Sequence, residues 1–307
     1  MAPHLDHICV CICTYKRPDL LAKLLAELEH QVTDILFTYS VVVVDNDINN
    51  TAQDTVRFFQ KSSTIKIDYY HEPEQNIALA RNKAVENAQG NHIAFIDDDE
   101  FPVSNWLLNL YKTMHLFNAD GVLGPVRPYY PEATPKWLIK SKLCERPEHK
   151  TGTVLTWQET RTGNVLIDKK IFENKGNRFG REFGRTGGED VEFFKKMEKA
   201  GKTFIWCNEA PAYETVPPER WEEEFYTQKL LRIGGLVGEK IRRKASLPTR
   251  IYFLMKSTGC LVTVSVFLPF TYLFGKHLYV RLLTKMMFNY GVIAGYTGHP
   301  VLRYRDE

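Results

Sequence analysis

The stretch His92-Ile93-Ala94-Phe95-Ile96-Asp97-Asp98-Asp99-Glu100 passes without a break from an apolar run into four consecutive carboxylates. A short apolar run behind a turn residue, here Gly90, reads as a buried strand. Its charged end is therefore delivered to one edge of a sheet. A second run has the same design. Ser40-Val41-Val42-Val43-Val44 is almost wholly β-branched, as suits a strand buried on both faces, and it ends in Asp45-Asn46-Asp47. In open parallel sheets, ligands sit beyond the carboxyl ends of the strands. Both acidic groups are expected at that edge.

Outward from these strands the chain keeps a regular beat. Ile8 to Cys13 reads as a strand. Pro18 to His30 reads as a helix, with Leu20, Leu21, Leu24, Leu25 and Leu28 at helical spacing and Pro18 in the first turn. A helix is predicted over Thr51 to Lys61, a strand over Ile65 to Tyr70, and a helix from Ile77 to Gln89 that Gly90 closes. This alternation argues for a mostly parallel sheet covered by helices. The segment 120–162 is rich in Pro and aromatics and reads as strand edges and long loops over a binding face. Asp190 to Ala200 returns to helix, and Thr203 to Cys207 reads as a strand.

The chain has 307 residues, 44% hydrophobic and 25% charged, which is an ordinary globular composition. The net charge of +3 is unevenly spread. From Arg220 onward there are 14 Lys/Arg and 6 Asp/Glu, so that third carries +8 and the first 219 residues carry −5. A basic end on an acidic body points to an anionic partner surface. Of the six cysteines, Cys9, Cys11 and Cys13 alternate along one strand with no further ligands nearby, as small buried residues of a reduced protein do. The first residues, Met1 to His7, lack the apolar segment of a secretory signal, so a cytoplasmic catalytic body is expected.

Four adjacent carboxylates repel one another unless cations are present. A hard dication, Mg²⁺ or Mn²⁺, binds through one or two carboxylates together with phosphate oxygens; the competing reading is a solvated acidic turn. The chain has neither a Gly-x-x-x-x-Gly-Lys-Ser/Thr loop nor a Gly-x-Gly-x-x-Gly turn after the first strand, where Thr14-Tyr15-Lys16-Arg17-Pro18 stands instead. This disfavours a phosphate-loop ATPase and a dinucleotide oxidoreductase. Glu189-Asp190 follows Gly187-Gly188 and opens a helix. Such a pair can lay a carboxylate into a cleft or simply complement the helix dipole, and local sequence leaves both readings open.

Taken in order, Cys13-Thr14-Tyr15-Lys16-Arg17, Val44-Asp45-Asn46, Ala80-Arg81-Asn82, Asp97-Asp98-Asp99, Thr162-Gly163-Asn164 and Glu189-Asp190 resemble the family 2 glycosyltransferases of the GT-A fold. The resemblance covers roughly residues 7 to 235. Within the family, Tyr213-Glu214-Thr215-Val216-Pro217-Pro218-Glu219-Arg220 is similar to enzymes building bacterial exopolysaccharides of the succinoglycan type. The resemblance implies an α/β, Rossmann-like fold with a mostly parallel central sheet. It also implies donor-binding roles for Cys13, Thr14, Tyr15, Arg17, Asp45, Arg81, Asp97 and Asp98. Asp45 would meet the nucleotide base, Asp99 would ligate the metal, and Asp190 would be the general base. Glu189, Asn164, Trp137 and Trp157 are further candidates around the sugar sites. Many relatives carry a His near position 214; here Glu214 stands there, and a plain salt bridge is an equal reading.

Past Arg220 the chain turns helical. Glu222 to Lys244 reads as one or two amphipathic helices interrupted at Arg232-Ile233-Gly234-Gly235, with a basic cluster at Lys240, Arg242, Arg243 and Lys244. Ser257 to Gly275 is 19 residues without a charge, close to the roughly 20 needed to span a bilayer. The expected organisation is a GT-A catalytic domain over 1–219, with a nucleotide-sugar half over about 1–100 and an acceptor half over about 101–219. A helical, membrane-associating extension over 220–307 follows. The implied activity is inverting transfer of a hexose from a UDP-sugar or similar donor to a growing saccharide linked to a polyprenyl diphosphate. Its expected place is the cytoplasmic face of the inner membrane, against anionic lipid. Nucleic acid is not expected as a partner, since no recognised module accompanies the basic cluster. The rival readings are a sugar nucleotidyltransferase, which normally has a glycine-rich segment after the first strand, and a non-catalytic membrane-docked scaffold.

Overall fold

A computed structural model describes residues 5–185 and 187–299. The chain divides into two compact units. The first comprises 5–128 and 146–214, the second 129–145 and 215–299.

The first unit is built on a seven-stranded sheet. Its strands are β1 (Asp6–Thr14), β2 (Phe37–Asp45), β3 (Ile67–His71), β4 (His92–Phe95), β6 (Gly121–Leu123), β8 (Val165–Asp168) and β9 (Phe204–Trp206), in the spatial order β3-β2-β1-β4-β8-β6-β9. Every neighbouring pair is parallel except the two made by β8, which runs against β4 and against β6. The mostly parallel sheet expected from the βα alternation is thus present, with one reversed strand inside it.

Both faces of the sheet are covered, as the unbroken apolar strands require. Ile8, Val10 and Ile12 of β1 and Val41 and Val43 of β2 pack on one side with helices α1 (Pro18–Leu28), α2 (Gln53–Ser62) and α4 (Trp106–Phe117). Cys9, Cys11, Val42 and Val44 pack on the other side with α3 (Ile77–Asn87) and α6 (Glu189–Lys199). The strand period of two sorts the residues between two cores. Leu21, Leu24, Leu25 and Leu28 are all buried along one stripe of α1, while Leu20 of the sequence pattern is not. The three alternating thiols are unpaired, with Cys9 and Cys11 fully buried.

A small second sheet, in the order β5-β10-β7, joins β5 (Glu100–Pro102), β7 (Val126–Tyr129) and β10 (Ala212–Thr215). Strand β5 begins at the last residue of the carboxylate run. It pairs antiparallel with β10 so that Glu100 stands opposite Glu214. This register positions Glu214 at the acidic end of β4.

In the second unit, α9 (Lys276–Thr297) packs against α7 (Glu223–Lys244), α8 (Leu247–Thr271) and α5 (Lys136–Ser141), and Leu138 of α5 shares a small core with Tyr226 of α7. Helix α7 is continuous, contrary to the interruption expected at Gly234-Gly235. Those glycines serve close packing. A Cβ on Gly234 would lie 2.0 Å from the Phe288 carbonyl oxygen, and one on Gly238 would lie 2.1 Å from that of Val292. Gly291 and Gly295 of α9 approach the Leu231 and Gly235 carbonyls equally closely. The two backbones are in direct contact, which only residues without side chains allow. Helix α8 is different: Met255, Val262, Val266, Phe267 and Phe270 are all exposed. Among the described residues, Leu247–Phe274 is one helix long and apolar enough to cross a membrane by length and composition.

Candidate active site

The carboxyl ends of β1 and β4 bring the first two motifs together. β1 ends at Thr14, whose hydroxyl donates to Asp98 Oδ2 at 2.7 Å. The next turn places Lys16 in a left-handed conformation, φ 54°. From there the Arg17 guanidinium reaches Asp98 Oδ1 and Asp99 Oδ2, each at 3.1 Å. Tyr15 is half-buried, with the Lys16 ammonium 5.0 Å over its ring. Asp98 is buried, and Asp99 is mostly so.

A second chain of charge leads from β4 to α6. Arg81, buried on α3, pairs through Nη1 with Glu189 Oε1, and its Nη2 lies 3.7 Å from Asp97 Oδ1. Glu189 is buried in the first turn of α6, and its second oxygen has no hydrogen-bond partner. Gly187 and Gly188, at φ 80° and 101°, make the left-handed turn that opens the helix. Asp190 beside them is less buried. Its Oδ1 accepts from the Val191 backbone N–H at 2.7 Å, and its charge acts on Arg81. The Cys13 thiol sits among these groups and is pushed up to about 12 by burial.

Asp45 is completely buried. Its carboxylate accepts from the Asp47 and Ala52 N–H groups at 3.0 and 2.8 Å and from the Tyr69 hydroxyl at 3.1 Å. A carboxylate has about four acceptor positions, so roughly one remains for a ligand. Asn164 has less to spare. It is buried at φ 57°, accepts from Trp106 Nε1 at 2.7 Å, and donates both amide protons, to the Pro125 and Ala210 carbonyls at 2.8 and 2.9 Å. Its side chain ties three segments together. Next to it, Gly163 touches the acidic cluster: a Cβ there would lie 2.8 Å from Glu100 Oε1 and 2.9 Å from Asp97 Oδ2.

The two tryptophans fall in different places. Trp157 belongs to the first unit and lies under the Lys195 ammonium, 5.4 Å from the ring centroid. Trp137 belongs to the second unit, where it packs edge-on to Tyr226 in a small core with Leu138 and Val216.

Three charged residues of the site carried no sequence signal strong enough to single them out. Arg146 lies in the aperiodic middle segment and bonds Glu214 Oε2 at 2.6 Å. Arg161 stands immediately before the Thr162-Gly163-Asn164 motif, and its adjacency to that motif was the available clue. Its Nε and Nη2 are buried without hydrogen-bond partners. Burial, and then the charge of Arg146, lower its pKa to about 10. Glu100 was read only as the end of an acidic run; it is buried, and burial together with Asp97 holds its carboxyl well above the usual range.

The acidic cluster is strained electrostatically. Burial raises the Asp98 carboxyl despite its bonds to Thr14 and Arg17. Burial, Asp97 and Glu214 push Asp99 up to about 6. Crowded, partly desolvated carboxylates are relieved by an adjacent dication. The donors offered are all carboxylate oxygens, which suit Mg²⁺ or Mn²⁺. In donor chemistry, though not as a converged three-ligand group, Asp97, Asp98 and Asp99 suit a hard cation.

Residues 9–183 match the family described as "Glycosyl transferase family 2". The succinoglycan biosynthesis protein ExoM of Rhizobium meliloti (strain 1021) is 34% identical over 242 residues, covering 78% of this chain and 76% of that protein. Among solved structures, S. aureus TarS 1–349 in complex with UDP-GlcNAc superposes with a TM-score of 0.55 at 13% identity, over 95% of this chain and 92% of that one. GalNAc-T7 with UDP, GalNAc and Mn²⁺ gives 0.55 at 12% identity, over 80% and 52%. At such identities the likeness is one of fold, and the fold is GT-A.

Proposed function

Because the chain belongs to glycosyltransferase family 2, we propose that it transfers a hexose from a UDP-sugar to a hydroxyl of a growing lipid-linked saccharide, inverting the anomeric carbon. The observation that carries this reading is the Asp97–Arg81–Glu189 chain, which links the carboxylate cluster at the end of β4 to the helix start bearing Asp190.

Asp190 is the base. It takes the proton of the acceptor hydroxyl as that oxygen bonds to the anomeric carbon. The bond from that carbon to the diphosphate oxygen breaks, and the nucleoside diphosphate leaves with the electron pair. The leaving group is already a stable anion, so one carboxylate suffices, unlike the paired carboxyls of glycoside hydrolysis. Glu189, held by Arg81, fixes the first turn of α6 and with it the position of Asp190. Thr14 and Arg17 hold Asp98, so that Asp97 or Asp98 faces the donor ribose or sugar. Asp45, with Cys13 and Tyr15 nearby in the fold, borders the base pocket. Arg161, with two buried N–H groups unpartnered, is available to an anionic phosphate oxygen. Asp99 would hold Mg²⁺ or Mn²⁺, which when bound neutralises charge on the diphosphate. The presence of UDP and Mn²⁺ in the GalNAc-T7 structure, and of UDP-GlcNAc in the TarS structure, supports the choice of donor and metal class.

The acceptor side rests on the second unit. Exposed Val262, Val266, Phe267 and Phe270 on α8 suit the acyl region of a bilayer. Lys240, Arg242, Arg243 and Lys244 suit an anionic inner leaflet. Both features support a site of action at the cytoplasmic face, where a polyprenyl-diphosphate-linked glycan would be a reachable acceptor, and the ExoM likeness supports a role in cell-surface polysaccharide synthesis. The test is a panel of nucleotide sugars offered to the purified full chain with Mn²⁺, reading nucleoside-diphosphate release and thermal shift. Release with one UDP-sugar is expected. A protein that binds no nucleoside diphosphate in Mn²⁺ would refute the proposal.

A further inference from the structure

At the opposite, amino end of the same strands lies a group of ligating side chains that the transfer reaction does not use. Asp6 opens β1, His92 opens β4, and His115 is in the last turn of α4. His92 Nε2 is 3.7 Å from Asp6 Oδ2, and His115 Nε2 is 3.6 Å from the same oxygen. The three ligand atoms all lie within 4.8 Å of one another. β1 carries Asp6 at one end and Thr14 at the other, so eight residues, about 26 Å of strand, separate this group from the catalytic edge.

His92 makes the group more than a chance cluster. It is buried, and neither ring nitrogen has a hydrogen-bond partner. Its ring packs edge-on to Tyr111 and to His115, with centroids 5.9 and 6.0 Å away. Those contacts place the ring but satisfy neither nitrogen. A buried polar group left unpaired costs about 1–3 kcal/mol, and natural proteins rarely leave one so without an ion or water for it.

We infer that Asp6, His92 and His115 form a second cation site, for a borderline-soft transition-metal dication of the Zn²⁺ type. Ligands bonded at about 2.0–2.1 Å in a tetrahedron lie about 3.3 Å apart, so the two His–Asp6 separations need to close by only a few tenths of an ångström and the His92–His115 separation, within 4.8 Å, by at most about 1.5 Å. Two imidazoles and one carboxylate select zinc-like ions over Mg²⁺ and Ca²⁺, which demand oxygen. The Tyr111 hydroxyl donates to Asp6 Oδ2 at 2.9 Å and orients that ligand, as outer-shell partners do at metal sites. Three protein ligands leave a fourth position for water. The half-exposed His115 and a cleft of about 630 Å³ lined by Asp6, His92 and His115 give the ion a route in. The bound ion ties the starts of two central strands to the end of α4. It differs in class and in place from the hard cation of the carboxylate cluster.

The test uses the chelator-stripped full chain with Co²⁺ as a coloured probe and Zn²⁺ as competitor. Wild type should bind one equivalent of Co²⁺ as the intensely absorbing tetrahedral species, distinct from any weakly absorbing octahedral Co²⁺ at the carboxylate cluster, lose it to Zn²⁺, and melt at a higher temperature with Zn²⁺. His115→Ala and Asp6→Asn each replace a partly exposed side chain, and each should lose that equivalent, the absorption and the Zn²⁺-induced rise. Asp99→Asn should keep all three. Retention of the equivalent in either folded site variant, or loss of the absorption in Asp99→Asn, overturns the inference. So does a wild type that takes up no Zn²⁺.

Discussion

Replacing Asp99 with Asn should stabilise the metal-free protein while removing its activity. Asp99 is pushed from 3.8 up to about 6 by burial, by Asp97 and by Glu214. A raised acid binds its proton more tightly in the folded state. The native chain therefore holds more protons than the unfolded one between about pH 4 and pH 6, and stability falls as pH rises through that window. At about 1.4 kcal/mol per unit the full penalty at pH 7.5 is about 3 kcal/mol. The side chain is 23% exposed, so solvent screening brings the expected gain from Asn down to about 1–3 kcal/mol. The lost contact with Arg17 subtracts little, because that guanidinium is half exposed. For a unit of this size the gain corresponds to a melting temperature about 3–10 °C higher. The assay is thermal unfolding with EDTA at pH 7.5 and again near pH 3, below both the unfolded and the folded value, where Asp99 is largely protonated in both states and the difference should all but vanish. In Mn²⁺ the order should narrow or reverse, since only wild type gains a bound ion. An Asn variant no more stable than wild type at pH 7.5 without metal would refute the claim that this carboxylate is held under strain.

Asp190→Asn should abolish sugar transfer while leaving the UDP affinity, read by calorimetry, within about threefold; normal turnover would remove Asp190 as the base. Gly163→Ala pushes a methyl against Glu100 and Asp97, and should lower Mn²⁺ affinity at least tenfold in a folded protein, measured by titration. Gly234→Val forces apart helices that meet backbone to backbone, at a cost of at least 1–3 kcal/mol. Hydrogen exchange should then show faster opening of 223–244 and 276–297 without change in the seven-stranded sheet. The double change Phe267→Asp and Phe270→Asp on the exposed face of α8 should move the protein from the membrane fraction to the supernatant with donor binding intact; unchanged sedimentation would refute the membrane role of that helix.

The strands that build the catalytic edge were readable because their physics is local. Four successive valines, or an apolar run ending in Asp97, leave few alternatives for a buried strand. The leucine stripe of α1 was equally plain. The reversed strand β8 was not, since an apolar run such as Val165 to Ile167 does not record which way it will run beside β4. Gly234-Gly235 misled for a related reason. Glycine weakens an isolated helix, and only the partner helix α9 shows that the missing side chains make room for a backbone. Among the site residues, the carboxylates announced themselves by crowding. Arg146 and Arg161 did not, because an arginine in an aperiodic loop looks like any solvated one until the fold pairs Arg146 with Glu214 and buries Arg161 in the field of Glu100. The Asp6, His92 and His115 group was invisible for a similar reason: its members are 86 and 23 residues apart along the chain.

The inclusion of 129–145 in the second unit sets an order on the ribosome. The segment carrying Trp137 and Leu138 packs with Val216 and Tyr226, yet it is synthesised before the whole of the first unit's later stretch, 146–214. Leu138 precedes Tyr226 by 88 residues. At about 5–20 residues per second, an apolar strap waits about 4–18 seconds for its cover while the sheet around β8 and β9 completes. Nascent chains stalled before Val216 should therefore present this strap to chaperones or to one another, and those released after α9 should not.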